Sequence, residues 1–267
     1  MPRFVRYPVQ ISDRPIHYLT SPVEWDTDFF GFPVADISSP FQDGLDFEAS
    51  ICSAKALGTT LLVYRAHHKS ALPDVEETVC LADSKITFIM PASVPLPDWT
   101  VKHVNVEAYE SHSMTPALAK LAMLAGHKSR FFMDPMFPRP AAEAMYVLWM
   151  KRIVSRALGD RVHVLVERDA EDEICAFGAT YIDSKGHAVP SLMAGFPDVY
   201  TPGFGRVYFS AMMNWFRAER ISEARIKTQG RNHAAQKIYN SAGWTVGQHQ
   251  DIYHVWLGEP LVKSSYS

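Results

Sequence analysis

Cysteine is scarce in this sequence, and its pattern excludes two kinds of structure. Cys52, Cys80 and Cys175 are far apart and odd in number, so they do not predict the disulfide framework of a small secreted domain. They also lack the close spacing of metal-ligating cysteines. We therefore expect a reduced cytoplasmic protein with buried thiols.

Long apolar runs are absent as well. No segment reaches the eighteen or so uninterrupted apolar residues that a membrane span requires. The start, Met1–Pro8, lacks the apolar core of roughly 7–15 residues and the small-residue cleavage site of a signal peptide. The sequence thus predicts a soluble, intracellular protein without a membrane partner.

Charge of one sign is not in excess either. The formal net charge is −3 and the isoelectric point is about 6.4, which argues against nucleic acid as the main partner. Histidine is the one abundant candidate for metal binding, with 11 residues. The adjacent pair His67 and His68 has no carboxylate or cysteine at helical spacing, so we predict no metal site.

Apolar side chains, by contrast, are plentiful. Hydrophobic residues make up 47% of the 267 residues and aromatic residues 12%, enough for a well-filled core in one large domain or two small ones. Short strands alternate with helices, which predicts an α/β fold. We divide the chain into residues 1–128, which have no glycine turn before a helix, and residues 129–267, which are more sharply patterned.

The second segment has well-defined predicted elements. A helix is expected over Arg139–Leu158, and a hairpin joins two strands through Ser184–Gly186. Near the end, two paired strands are expected at Trp244–His249 and Ile252–Leu257.

The stretch Thr228–Gly243 is the most informative part of the chain. Asn232 opens a helix, and Ala235 and Tyr239 lie four residues apart on its apolar face. Gly243 ends the helix as a left-handed cap would. A tyrosine on the apolar face of a helix is usually a core residue, so a buried core position is one interpretation of Tyr239.

A glycine turn lies about thirty residues earlier. Gly203 and Gly205 separate an apolar run from the next helix, a place where backbone N–H groups bind phosphate. An ordinary strand–helix turn is the alternative, because two glycines before a helix are a weak signal.

The order of these motifs resembles the acetyl-CoA-binding core of the GNAT N-acetyltransferases. Strand, glycine turn, helix and strand precede Asn-x-x-Ala-x-x-x-Tyr-x-x-x-Gly. The resemblance implies a mixed twisted sheet, with residues 129–267 as the catalytic domain and residues 1–128 as a diverged, GNAT-like α/β half. The sequence departs from the family pattern at two positions. Tyr200 stands where Gln or Arg is usual, and Pro202 cannot donate an N–H.

The resemblance also implies the chemistry. Acetyl-CoA would be the co-substrate, its acetyl group would pass directly to a primary amine, and Tyr239 would act as general acid towards the departing sulfur. The general base is not identified among His163, Glu167, Glu173 and His187. The residues implied in acetyl-CoA binding are Gly195, Phe196, Val199, Gly203, Phe204, Gly205, Arg206 and Asn232.

Two further segments resemble one branch of the family, the bacterial N-acetyltransferases of nucleotide-linked 4-amino-4,6-dideoxy sugars of the TDP-fucosamine type. They are Trp25–Gly31 and Ser129–Phe131, the latter followed by the aromatic-rich helix. The alternatives are a core cluster for the aromatic residues and an interdomain salt bridge for the arginine. The residues implied in acceptor binding are Trp25, Phe29, Phe30, Arg130 and Tyr146.

That branch implies a nucleotide sugar as the amine acceptor. Other acceptors stay open, namely an amino acid, an aminocyclitol or an antibiotic amine. A CoA-sensing module without catalysis is a further alternative, and so is a homodimer as the assembled state.

Overall fold

The computed structural model describes residues 20–37, 44–70, 72, 75–91, 93–95, 99, 106–157, 162–169, 171–198 and 203–260. These described residues form ten strands: β1 Ser21–Pro22, β2 Val34–Asp36, β3 Leu61–His67, β4 Thr78–Pro91, β5 Glu107–Ala108, β6 Val162–Arg168, β7 Ile174–Ile182, β8 Ala188–Gly195, β9 Glu223–Gln229 and β10 Thr245–Trp256. Within the same ranges the chain forms seven helices: α1 Glu24–Phe30, α2 Gly44–Ala56, α3 Pro116–Gly126, α4 Arg130–Met133, α5 Arg139–Val154, α6 Phe204–Ala218 and α7 His233–Ser241.

All ten strands belong to one mixed sheet. Their order is β1-β2-β3-β10-β4-β9-β8-β7-β6-β5. Neighbouring strands are antiparallel except at two places, β2–β3 and β8–β9, where they are parallel. The predicted α/β class and the mixed sheet are therefore confirmed.

The sheet draws its strands from both predicted segments. Strand β4, from residues 1–128, lies between β9 and β10, which both come from residues 129–267. Strand β10 in turn lies between β3 and β4 and pairs with both along most of its length. The division at residue 128 stays a prediction, and the two segments meet through backbone hydrogen bonds.

Two predicted elements differ from the structure. The two paired strands predicted near the end are wrong, because Thr245–Trp256 is a single continuous strand. Gln250 and Asp251, between the expected strands, pair with both β3 and β4, so neighbouring strands hold this stretch extended. The helix predicted to reach Leu158 ends at Val154 instead.

Helices cover both faces of the sheet. One core cluster packs α3 and α5 against one face, with Leu121 and Met150 fully buried. On the opposite face, a second cluster joins α6 and α7 to β4 and β9, and a third packs α2 on β3. None of the helices in the described part of the chain combines the length and apolar composition needed to cross a membrane.

Candidate active site

The site begins where two parallel strands separate. Strands β8 and β9 pair at one position alone, Ala188 with Ala224. Beyond that pair, β8 continues to Gly195 and stays bound to β7 on its other side, while β9 pairs with β4. The diverging strands open a gap in the sheet into which an extended ligand fits.

A cavity of about 650 Å³ occupies this gap. Residues of β8, such as Val189 and Met193, line one wall, and residues of β9, such as Lys227 and Gln229, line another. Helices α4, α5, α6 and α7 and strand β4 also contribute residues to its wall. Its volume falls in the usual range for small-molecule and cofactor sites.

The local structure explains why both residues of the turn, Gly203 and Gly205, are glycines. Gly203 is the N-cap of α6 with φ 109°, a left-handed conformation that favours glycine. A Cβ on Gly205 would lie 3.1 Å from Cδ1 of Ile238, so α6 and α7 approach closely here. The first N–H groups of a helix have no acceptor within that helix, and they make its start a suitable place for an anion.

Four other described residues that are predicted to bind acetyl-CoA lie within or near this turn in the chain. Phe204 is 2% exposed and packs in the core, so its backbone rather than its side chain is available to a ligand. Arg206 is exposed on the first turn of α6. Gly195 ends β8 and Phe196 follows it, whereas Val199 lies outside the described residues.

Asn232 occupies the predicted position at the start of α7. Its side chain caps the helix by accepting from the N–H of Ala235, and it also lines the cavity. Lys128 Nζ lies 3.5 Å from its Oδ1. The end of the helix is confirmed as well, because Gly243 has φ 84°.

Tyr239 is both a core residue and a cavity residue. Its ring packs edge-on against Phe88 and Phe209, with centroid distances of 5.3 and 5.2 Å. The residue is 4% exposed, yet it lines the cavity. Burial raises the pKa of its hydroxyl far above the usual range, and nearby Tyr208 adds to the rise. The neutral, proton-donating form is therefore the one present at neutral pH.

The cavity wall carries more positive than negative charge. Five basic side chains line it, against the carboxylates of Asp83 and Asp183. Burial and the nearby guanidinium of Arg130 lower the pKa of Lys85 to about 8. An anionic ligand such as a phosphate matches this wall. The basic residues are Lys85, Arg130, Lys185, Arg225 and Lys227.

Arg130 is held by a hydrogen-bond chain. Its Nη2 donates to Asp26 Oδ2 at 3.2 Å, and its Nη1 lies 3.0 Å from His254 Nε2. Since a guanidinium only donates, His254 Nε2 accepts and its Nδ1–H donates to Asp134 Oδ2 at 2.6 Å. Trp256 Nε1 donates to the same carboxylate oxygen. Arg130 therefore forms the salt bridge, with Asp26, that was the alternative to a role in acceptor binding. It also lines the cavity.

The other residues predicted to bind the acceptor fall into two groups. Tyr146 lines the cavity from α5, and its ring approaches Gly126 so closely that a Cβ there would lie 2.6 Å away. Trp25 and Phe29 stack at 5.1 Å, and Phe30 is 1% exposed in the core. None of these three is among the described residues that line the cavity. Their role in acceptor binding stays a prediction.

Of the four candidate bases, only His187 lines the cavity. It pairs with Asp183 at 3.3 Å and lies 3.8 Å from Glu223. His163 stacks on Trp215 instead, with the ring centroids 5.0 Å apart.

The structure brings together one cluster that the sequence did not indicate. His68 Nδ1 lies 2.9 Å from Asp251 Oδ1, and His249 stacks on His68 at 3.5 Å. These three residues form the one group in the described part of the chain with the donor atoms for a metal ion. His68 is more than 180 residues from His249 and Asp251 in the chain, so no local spacing indicated the group of three. The absence of a metal stays a prediction.

Comparison with known proteins adds to this geometry. No protein-family model matches the chain. The spore coat polysaccharide biosynthesis protein SpsD of Bacillus subtilis (strain 168) is 27% identical over 150 residues, which are 54% of this chain and 48% of SpsD. The chain thus spans about half the length of that curated relative.

Solved structures resemble the chain over most of its length. The GCN5-related N-acetyltransferase from Sphaerobacter thermophilus has a TM-score of 0.55 at 9% identity, over 92% of this chain and 78% of that one. A tandem GNAT protein from the clavulanic acid biosynthesis pathway, solved without AcCoA, has a TM-score of 0.51 at 9% identity, over 85% and 76%. At such identities the likeness concerns the fold, and the fold of this chain is that of the GNAT N-acetyltransferases.

Proposed function

We propose that the protein transfers the acetyl group of acetyl-CoA to a primary amine. The observation that carries this proposal is the cavity between the diverging strands β8 and β9, which contains Tyr239. Its wall residue Met193 lies 4.0 Å from the position of a Cβ on Gly205, in the glycine turn. A fold by itself does not specify an activity. The proposal therefore rests on this arrangement of groups.

The residues of the site fit acetyl-CoA. The start of α6 is a place for its phosphates, because the helix N-terminus attracts anions. Gly205 lets this helix approach α7, where a side chain would meet Ile238. The gap beyond the Ala188–Ala224 pair accommodates the narrow pantetheine arm. Holding both substrates in one cavity provides the proximity on which direct transfer depends.

Tyr239 would supply the proton that the departing sulfur needs. Its raised pKa keeps the hydroxyl protonated, and the aromatic rings on both sides of it fix its direction. Backbone N–H groups near Gly195 would polarise the thioester carbonyl. No covalent intermediate with the enzyme is required in this reaction.

We further propose that the acceptor is a nucleotide-linked dideoxy sugar that carries a 4-amino group. Arg130 and Lys85 give the cavity two partly buried cations for a diphosphate, and Tyr146 presents an aromatic face to a deoxy sugar. SpsD, similar over part of its length, is described as a polysaccharide biosynthesis protein, which agrees with a sugar acceptor.

A panel of amines tests both levels of the proposal. Purified protein is mixed with acetyl-CoA and each amine, and free thiol release is followed. TDP- and UDP-linked 4-amino sugars should exceed free amino sugars, amino acids and aminoglycosides by orders of magnitude in kcat/KM. Faster turnover of an amino acid or aminocyclitol would replace the sugar acceptor, and binding of acetyl-CoA without any turnover would identify a CoA-sensing module.

A further inference from the structure

A buried carboxylate in the cavity has no assigned role. Asp83 lies on β4, where strand alternation places it on the same face as Lys85 and Thr87, and all three line the cavity. Asp83 is 2% exposed, and its Oδ1 has no hydrogen-bond partner in the described part of the chain. Buried polar atoms are nearly always paired, so an unpaired carboxylate oxygen on a residue that lines a cavity indicates a missing hydrogen-bond donor.

The charges around Asp83 come from several elements. Lys85 is on the same strand, Arg130 belongs to α4, Arg231 precedes α7, and Tyr146 belongs to α5. Burial raises the pKa of the Asp83 carboxyl, and the three cations offset that rise only in part. A desolvated carboxylate with a raised pKa is a stronger base than an exposed one.

The complementary ligand group is an ammonium. A carboxylate oxygen only accepts hydrogen bonds when it is ionised, so the missing partner must donate. The amine acceptor of the proposed reaction arrives as such a donor, because a primary alkylamine is largely protonated at neutral pH. Asp83 lines the cavity together with Lys85 and Arg130, so the cavity is where this group would approach the carboxylate.

We propose that Asp83 binds the ammonium group of the acceptor and removes its proton. Asp83 would thus be the general base of the reaction in which Tyr239 is the general acid. This inference rests on the proposed acetyl transfer. The proton passes from nitrogen to the Asp83 carboxylate, and the free amine forms a bond to the thioester carbonyl carbon. The carbon–sulfur bond breaks, and sulfur takes the proton of Tyr239. The second amine proton then returns to the Tyr239 oxygen, and the Asp83 carboxyl releases its proton to solvent, so both groups are restored.

The assignment places acid and base on different segments of the chain. Tyr239 comes from α7, within residues 129–267, and Asp83 comes from the strand that residues 1–128 insert between β9 and β10. The second segment alone would then hold acetyl-CoA but lack the base.

The test compares the wild-type protein with Asp83→Asn, Asp83→Ala and the control Asp172→Asn, whose side chain is 88% exposed. With the best amine of the panel, Asp83→Asn should lower kcat/KM by about 10²–10⁴-fold at pH 7, the usual scale for a general base. The deficit should shrink as pH rises, since more of the amine then arrives without its proton. Formate, a small carboxylate, should restore part of the activity of Asp83→Ala.

Acetyl-CoA-induced thermal stabilisation, measured on each variant, shows that it is folded and that the co-substrate site is intact. Unchanged kcat/KM and pH profile in Asp83→Asn would overturn the inference while leaving acetyl transfer in place. So would a uniform loss at every pH with no rescue by formate, which indicates a positioning role. A wild-type protein that turns over no amine overturns the proposed function itself.

Discussion

Arg130 Nη2 lies 3.2 Å from Asp26 Oδ2, and this ion pair joins α4 to α1 across the predicted boundary at residue 128. Both side chains are mostly buried, with 12% and 14% of their surface exposed. The same guanidinium reaches His254 on β10 and lines the cavity. One arginine therefore connects the first helix, the last strand and the candidate active site.

Replacing Tyr239 with phenylalanine should lower turnover by roughly 10²–10⁴-fold, the usual scale for a lost general acid. The ring and its packing on Phe88 and Phe209 are retained, so affinity for acetyl-CoA should not change. Steady-state kinetics and titration with acetyl-CoA measure the two effects. Tyr64→Phe, in a separate core cluster, is the matched control, and equal turnover in Tyr239→Phe with rate-limiting chemistry would make Tyr239 a packing residue only.

Replacing Gly203 with valine should abolish the rise in melting temperature that acetyl-CoA causes in the wild-type protein. A bound ligand at 100 times its Kd stabilises by about 2.7 kcal/mol, and a β-branched residue at φ 109° would block the phosphate approach. Gly58→Val introduces similar backbone strain at φ 71° with no atom near its Cβ. It should melt lower but keep the full shift; an unchanged shift in Gly203→Val would mean that acetyl-CoA binds elsewhere.

Acetyl-CoA should bind with a stoichiometry of one per chain. The splayed strands and the glycine turn occur once in the described structure, and residues 1–128 have no Gly-x-Gly sequence before a helix. Isothermal titration calorimetry measures the ratio directly. Two equivalents per chain would contradict the single site.

The protein should lose stability as pH falls from about 6.5 to about 4, in part through His254. Burial, with the nearby charge of Arg130, lowers the pKa of His254 to about 4 from its usual 6.5. Between pH 6.5 and pH 4 the unfolded state therefore binds a proton at this histidine that the folded state does not bind. The resulting loss in the free energy of unfolding levels off below pH 4. A shift of this size corresponds to about 3 kcal/mol.

The variant His254→Asn isolates this effect, because asparagine keeps a donor for Asp134 and does not titrate. Urea unfolding of both proteins between pH 4 and pH 7.5 gives the free energy of unfolding at each pH. The variant is expected to be less stable at pH 7.5, but its stability should fall less steeply. Parallel curves for the two proteins would show that His254 keeps an ordinary pKa.

Local features of the site could be predicted from sequence because their causes lie within a few residues. Asn232 caps α7 through a neighbour three residues away, and Gly243 adopts the positive φ expected of a helix end. The hairpin at Ser184–Gly186 turns through Gly186, with φ 81°. In each case short-range hydrogen bonds and backbone sterics are sufficient.

Tertiary structure decided everything that depends on strand order. Only the insertion of β4 between β9 and β10 brings Asp83 and Lys85 into the cavity with Tyr239. The same pairing kept β10 continuous where a hairpin was expected. Arg130 pairs with Asp26, which is 104 residues away in the chain. Such contacts depend on register between distant strands, which no local pattern encodes, whereas turns and caps are fixed by the residues that form them.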